Sequence, residues 1–114
     1  ELDLEGVIRA IGVEDVSVVD PHDMAAVRAA LKAAVASPEL AVIIFRAPCV
    51  LLERVRKPVY SVGPRCTGCG VCATLGCPAI ARDPEAGLAS IDPALCIGCG
   101  QCAQYCRFEA IAQD

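Results

Sequence analysis

Tryptophan is absent from the 114 residues, and only two tyrosines, two phenylalanines and one methionine accompany the aliphatic side chains. Although 55% of the chain is hydrophobic, much of that is alanine and cysteine, so the core it can build is thin. Long apolar runs are missing too. The longest, residues 40–45, falls far short of the roughly 18 residues a membrane span needs. A basic surplus is also lacking: ten Lys and Arg against fourteen Asp and Glu give a net charge of −4, which argues against nucleic acid or any other polyanion as partner. No basic head, apolar stretch and small-residue cleavage site opens the chain, so the expected location is cytoplasmic. What the chain does have is nine cysteines. A unit of half this length sits below the roughly 70–80 residues at which an apolar core suffices, so a metal, a disulfide or a partner must staple it.

Composition divides the chain. One cysteine lies in residues 1–58 and eight in 59–114, with Arg54, Arg56, Lys57 and Pro58 marking a boundary that reads as a solvated linker. In the first half, Leu4, Val7, Ile8 and Ile11 recur at helical spacing before Gly12, and Val16, Val18 and Val19 form a β-branched run. Asp20-Pro21 predicts an N-cap and first turn of a second helix, with Met24, Val27, Leu31, Ala34 and Val35 on one face and Ser37-Pro38 at its end. The extended run 41–45 follows. Helix, strand, helix, strand, with continuously apolar strands, predicts a buried parallel pair. Two strands leave both edges and one face uncovered, so this half reads as the tail of a larger α/β domain. The turn Asp20-Pro21-His22-Asp23 has no glycine to admit a phosphate, which argues against nucleotide binding, and His22 is expected to be structural.

The second half carries the chemistry. Cys66-Thr67-Gly68-Cys69-Gly70-Val71-Cys72 and Cys96-Ile97-Gly98-Cys99-Gly100-Gln101-Cys102 are one phrase repeated thirty residues on, each followed by a further cysteine, Cys77 or Cys106. This matches the paired runs that hold two [4Fe-4S] clusters in bacterial-type ferredoxins, where the fourth cysteine of each run serves the other cluster. Crossed ligation assigns Cys66, Cys69, Cys72 and Cys106 to one cluster and Cys96, Cys99, Cys102 and Cys77 to the other. Gly68, Gly70, Gly98 and Gly100 are expected to let backbone N–H groups face sulfur and to keep side chains away from the inorganic sulfides. Zinc is the rival staple, but structural zinc takes separated pairs rather than two triplets with a trailing fourth. An odd count and close triplets speak against a disulfide framework.

The repeat is imperfect. Four residues separate Cys72 from Cys77 where three are usual, with Gly76 placed to absorb the extra one, and Arg107 stands where proline is usual. A fixed positive charge there is expected to raise the potential of the adjacent cluster. Asp83-Pro84-Glu85-Ala86-Gly87 predicts the turn of a hairpin within residues 80–91. Cys49, just after the last strand of the first half, is expected to be a buried, inert thiol.

Taken with Val18-Val19-Asp20-Pro21, Ile43-Ile44-Phe45-Arg46-Ala47-Pro48-Cys49 and the unusual run ending Leu75-Gly76-Cys77-Pro78-Ala79-Ile80, the chain resembles the C-terminal end of the α subunits of indolepyruvate:ferredoxin oxidoreductases. These belong to the thiamine-pyrophosphate-dependent 2-oxoacid oxidoreductases. The resemblance implies a fold in two parts, the end of a doubly wound thiamine-binding-type α/β domain (residues 1–58) and an α+β dicluster ferredoxin-like domain (59–114). It also implies oxidative decarboxylation of an aryl 2-oxoacid to an acyl-CoA, with electrons passing to an external ferredoxin and a smaller β subunit as partner. The Gly-Asp-Gly motif that such enzymes use for thiamine pyrophosphate and magnesium is absent here, so the chain is expected to hold no complete catalytic centre. A dicluster electron carrier without catalysis, free or fused, is the alternative.

Overall fold

A computed structural model describes residues 2–52 and 57–113. They form two compact units, Glu1–Pro48 and Cys49–Asp114. Of the expected boundary residues, Arg54 and Arg56 lie outside the described residues.

The first unit is helix, strand, helix, strand, as the periodicity predicts. Helix α1 (Leu4–Ala10) starts where the Asp3 carboxylate accepts the Gly6 N–H at 2.9 Å, and the chain turns away from it at Gly12 with φ +97°. Strands β1 (Asp15–Val19) and β2 (Ala41–Phe45) pair in parallel, Asp15 opposite Ala41 and Val19 opposite Phe45. Between them, α2 (Met24–Ala36) begins three residues later than Asp20-Pro21 predicts. Both aspartates can cap, and the structure uses them differently. Asp20 Oδ1 accepts the His22 N–H, closing a turn, whereas Asp23 Oδ1 accepts two orphan donors, Ala25 and Ala26 N–H, each at 3.0 Å. His22 Nδ1 lies 3.3 Å from Asp20 Oδ1. Ser37, extended at φ −68° and ψ 134° ahead of Pro38, ends the helix.

Among the described residues of this unit only Val13 is buried. Leu4, Val7 and Ile11 on α1 and Leu31 and Val35 on α2 are exposed, Val35 at 87%, so the expected α2 face is covered only at Met24, Val27 and Ala34. Two strands cannot cover two helices, and the apolar stripes are left facing water.

The second unit is a duplicated strand, cysteine loop, short helix and strand. Its first copy comprises β3 (Tyr60–Val62), a 3-10 helix (Val71–Leu75) and β4 (Ile80–Arg82). The second comprises β5 (Ala89–Ile91), α3 (Gln101–Tyr105) and β6 (Ile111–Gln113). Outer strands pair with outer and inner with inner, both antiparallel: Val62 faces Ile111 and Ile80 faces Ile91. The β4–β5 hairpin is the predicted one. Its turn is tied by Asp83, whose carboxylate accepts the Glu85 and Ala86 N–H groups at 2.8 Å, and these bonds hold its pKa below the ordinary value. Buried side chains are few and small: Cys72, Ala79, Ala110 and Ile111.

Candidate metal centre

Each cysteine loop is bent by two left-handed glycines. Gly68 and Gly70 have φ +69° and +74°, and Gly98 and Gly100 have +71° and +75°, so the sequence duplication is a duplication of backbone conformation. At Gly98 the need for glycine is doubled, because a Cβ would lie 2.6 Å from the Pro58 carbonyl oxygen. At Gly68 it would lie 2.8 Å from the Gly87 carbonyl oxygen. The crowding visible at these two positions thus comes from neighbouring protein backbone, a constraint the sequence reading did not include.

The second glycine of each loop starts the short helix that follows, Gly70 the 3-10 helix and Gly100 helix α3. The two helices differ, and so do their exits. Gly76, at φ +67°, caps the first ahead of Cys77, whereas Cys106 directly caps the second.

Pairing of the outer strands brings the ends of the duplication together. Val62 lies opposite Ile111, and the Gly63 N–H donates to the Ala110 carbonyl at 2.7 Å. Cys106 is carried with them, and one cavity is bordered by Cys66, Cys69, Cys72 and Cys106. Its remaining walls are mainly apolar, with Val62, Val71, Phe108 and Ile111 among them. The thiols differ in their surroundings. Backbone N–H groups of Ala89 and then Gly68 hold the Cys66 thiol below its ordinary pKa, while burial pushes Cys72 up. The Ala110 N–H donates to Cys106 Sγ at 3.3 Å. Cys69 is exposed.

Cys96, Cys99 and Cys102 sit half-buried on the second loop and at the start of α3. Burial pushes Cys102 up to about 11, with the neighbouring Cys99 and Cys96 thiols acting in the same direction. Cys77 is half-buried, and its carbonyl accepts the Ile80 N–H at 3.1 Å. All nine cysteines are free thiols. Cys49 is exposed rather than buried, because it opens a surface turn in which its carbonyl accepts the Leu52 N–H at 2.9 Å.

The donor set fits a cubane. A cubane takes one thiolate per iron corner, so its ligands stand around a cavity, whereas a lone zinc ion draws all its sulfurs to about 2.3 Å of one point. Four thiols from both runs surround one apolar space with N–H donors beside them. Among the described residues, no group of three or more His, Cys, Asp or Glu side chains stands placed to hold a metal ion directly.

Three side chains at these loops went unnoticed in the sequence. Arg82 on β4 donates from Nε to the Gly87 carbonyl at 3.1 Å and from Nη2 to the Gly68 carbonyl at 3.2 Å. Arg65 Nη2 donates to the Glu109 carbonyl at 2.6 Å, pinning a turn in which Glu109 has φ +47°. The Tyr60 hydroxyl packs so close to Gly100 that a Cβ there would be 2.8 Å from it. A basic residue on a strand after a cysteine loop is the only signal, and spacing alone does not aim it.

Residues 89–112, from β5 through the second run, match the 4Fe-4S binding domain family. That stretch of the second unit is thus similar to ferredoxin-type iron–sulfur binding domains. Over nearly its whole length the chain is further similar to the indolepyruvate oxidoreductase subunit IorA. It is 40% identical to that of Thermococcus kodakarensis and 41% to that of Pyrococcus abyssi, over 94% of this chain and 18% of theirs. Identity to the Methanothermobacter thermautotrophicus subunit is 36%, over 100% of this chain and 19% of the relative. The chain thus spans less than a fifth of the curated relatives it matches. No solved structure matches it significantly. Among the described residues no helix is long and apolar enough to cross a membrane.

Proposed function

We propose that the chain is the electron-transfer end of the α subunit of an indolepyruvate:ferredoxin oxidoreductase, holding two [4Fe-4S] clusters. One is held by Cys66, Cys69, Cys72 and Cys106, the other by Cys96, Cys99, Cys102 and Cys77. The observation that carries this reading is an apolar cavity bordered by three cysteines of the first run and the last cysteine of the second. When bound, the clusters supply one-electron stores that split a two-electron oxidation into single steps. The thiolates would hold the cages, Ala110 N–H donates to the Cys106 sulfur, and Val62, Phe108 and Ile111 line the cavity.

On this reading the complete enzyme oxidatively decarboxylates aryl 2-oxoacids to acyl-CoA in the cytoplasm. Thiamine pyrophosphate and magnesium are bound outside this chain, a smaller β subunit completes the assembly, and an external ferredoxin accepts the electrons. Unit Glu1–Pro48 is then one end of a thiamine-type α/β domain, which its uncovered apolar stripes support. Anaerobic iron and sulfide analysis with EPR after reduction tests the cluster content: about eight irons per chain are expected. An iron-free chain after oxygen-free reconstitution would refute the reading. A native upstream sequence without a thiamine-binding motif would remove its enzymatic part.

A further inference from the structure

The two cysteine loops share a backbone but rest on different neighbours. Beneath the second lie the Pro58 carbonyl, the Cβ of Lys57 at Gly98 and the neutral Tyr60 hydroxyl at Gly100. Beneath the first lie the Gly87 carbonyl at Gly68 and a guanidinium at Gly70, with Arg82 Nη1 3.7 Å from where a Cβ would stand. That guanidinium is anchored. It bonds the turn of the β4–β5 hairpin through Gly87 and the loop through Gly68, the residue before Cys69.

Two physical consequences follow. The C=O of one residue and the N–H of the next belong to one planar trans peptide and point in opposite directions. Holding the Gly68 carbonyl against Arg82 therefore turns the Cys69 N–H away from Arg82, and a cationic donor on that carbonyl strengthens the N–H as a donor to sulfur. Arg82 also brings a permanent positive charge to the loop, whereas Tyr60 brings none to the corresponding place in the other.

We propose that Arg82 is a positioning residue for the cluster of Cys66, Cys69, Cys72 and Cys106 and raises its reduction potential. This rests on the dicluster reading above. In a mediated titration, one electron passes from a reduced viologen to the cluster, the viologen is oxidised by that electron, and no bond is made or broken. The added negative charge is what Arg82 stabilises.

The test is an EPR-monitored redox titration of the iron-loaded full chain in the wild type, Arg82→Gln, Arg82→Lys and Tyr60→Phe. Arg82→Gln should move one of two cluster signals to more negative potential and leave the other in place. Arg82→Lys should recover most of that shift, and Tyr60→Phe should move neither signal. Should Arg82→Gln lose one cluster, retention of that cluster in Arg82→Lys supports the proposal and its loss in both overturns it. Unchanged potentials in Arg82→Gln, or equal shifts of both signals, also overturn it while leaving the two clusters standing. A wild-type chain without cubane signals overturns the dicluster reading and this inference together.

Discussion

Glycines that look interchangeable in the repeat differ in what surrounds them. Gly76 has φ +67° with nothing within 4 Å of a Cβ position, so Gly76→Ala meets only the left-handed penalty of about 1–2 kcal/mol. Gly98 has the same kind of φ and a carbonyl oxygen 2.6 Å away, so Gly98→Ala adds overpacking of about 1–3 kcal/mol. Denaturant unfolding should rank the two in that order, and iron content should drop only in Gly98→Ala. Equal effects would mean that φ alone governs both sites. Cys77 poses a different question, because the longer spacer could carry it out of reach of the second cluster. If Gly76 absorbs the extra residue and Cys77 ligates, Cys77→Ala removes one iron corner, lowering iron from about eight to about seven per chain. Iron content unmoved by Cys77→Ala would show that Cys77 is no ligand. Arg107, the charge that stands out in the sequence, is exposed beside Cys106. Cys106 is already extended, as proline favours in the residue before it, so Arg107→Pro removes the charge without disturbing that residue. It should lower the potential of the Cys106 cluster.

Elements were legible wherever one local rule decided them. Helix α1 to Gly12, both five-residue strands and the β4–β5 hairpin were readable because apolar spacing and turn residues agree there. The start of α2 was not, since Asp20-Pro21 and Asp23 are both valid caps and only the competition for N–H groups separates them. Asp23 takes two and Asp20 takes one from outside the helix. Asp23→Ala should accordingly destabilise the first unit by about 1 kcal/mol, while Asp20→Ala should have the smaller effect. Urea unfolding of the full chain followed by circular dichroism at helix wavelengths checks the order, and a larger effect at Asp20 would restore the earlier start. At the candidate metal centre, the cysteine spacing could be read from the sequence because the needs of the proposed cubanes are local. The gathering of Cys106 with the first triplet depends on β3 pairing with β6 across the duplication, and the aim of Arg82 depends on the hairpin folding back. Both are tertiary facts that no window of sequence contains.

At the scale of the whole molecule, the composition leaves too little to bury. Among the described residues no large side chain is fully buried, and in the second unit the interior consists of Cys72, Ala79, Ala110 and Ile111 around a thiol-bordered cavity. An isoleucine, two alanines and a cysteine contribute only a few kcal/mol at about 25 cal/mol per Å². On the proposed cluster reading, metal binding would add to this small interior, since it acts on the folded arrangement and not on a dispersed set of thiols. Removing iron by anaerobic chelation should therefore abolish the pairing of β3 with β6 and leave β1 with β2 intact. Hydrogen exchange read by mass spectrometry separates the two: peptides over residues 59–113 should lose protection, while those over residues 2–48 should change little. If Val62 and Ile111 stay protected in the iron-free chain, the protein interior alone is sufficient and the clusters are passengers in a preformed fold.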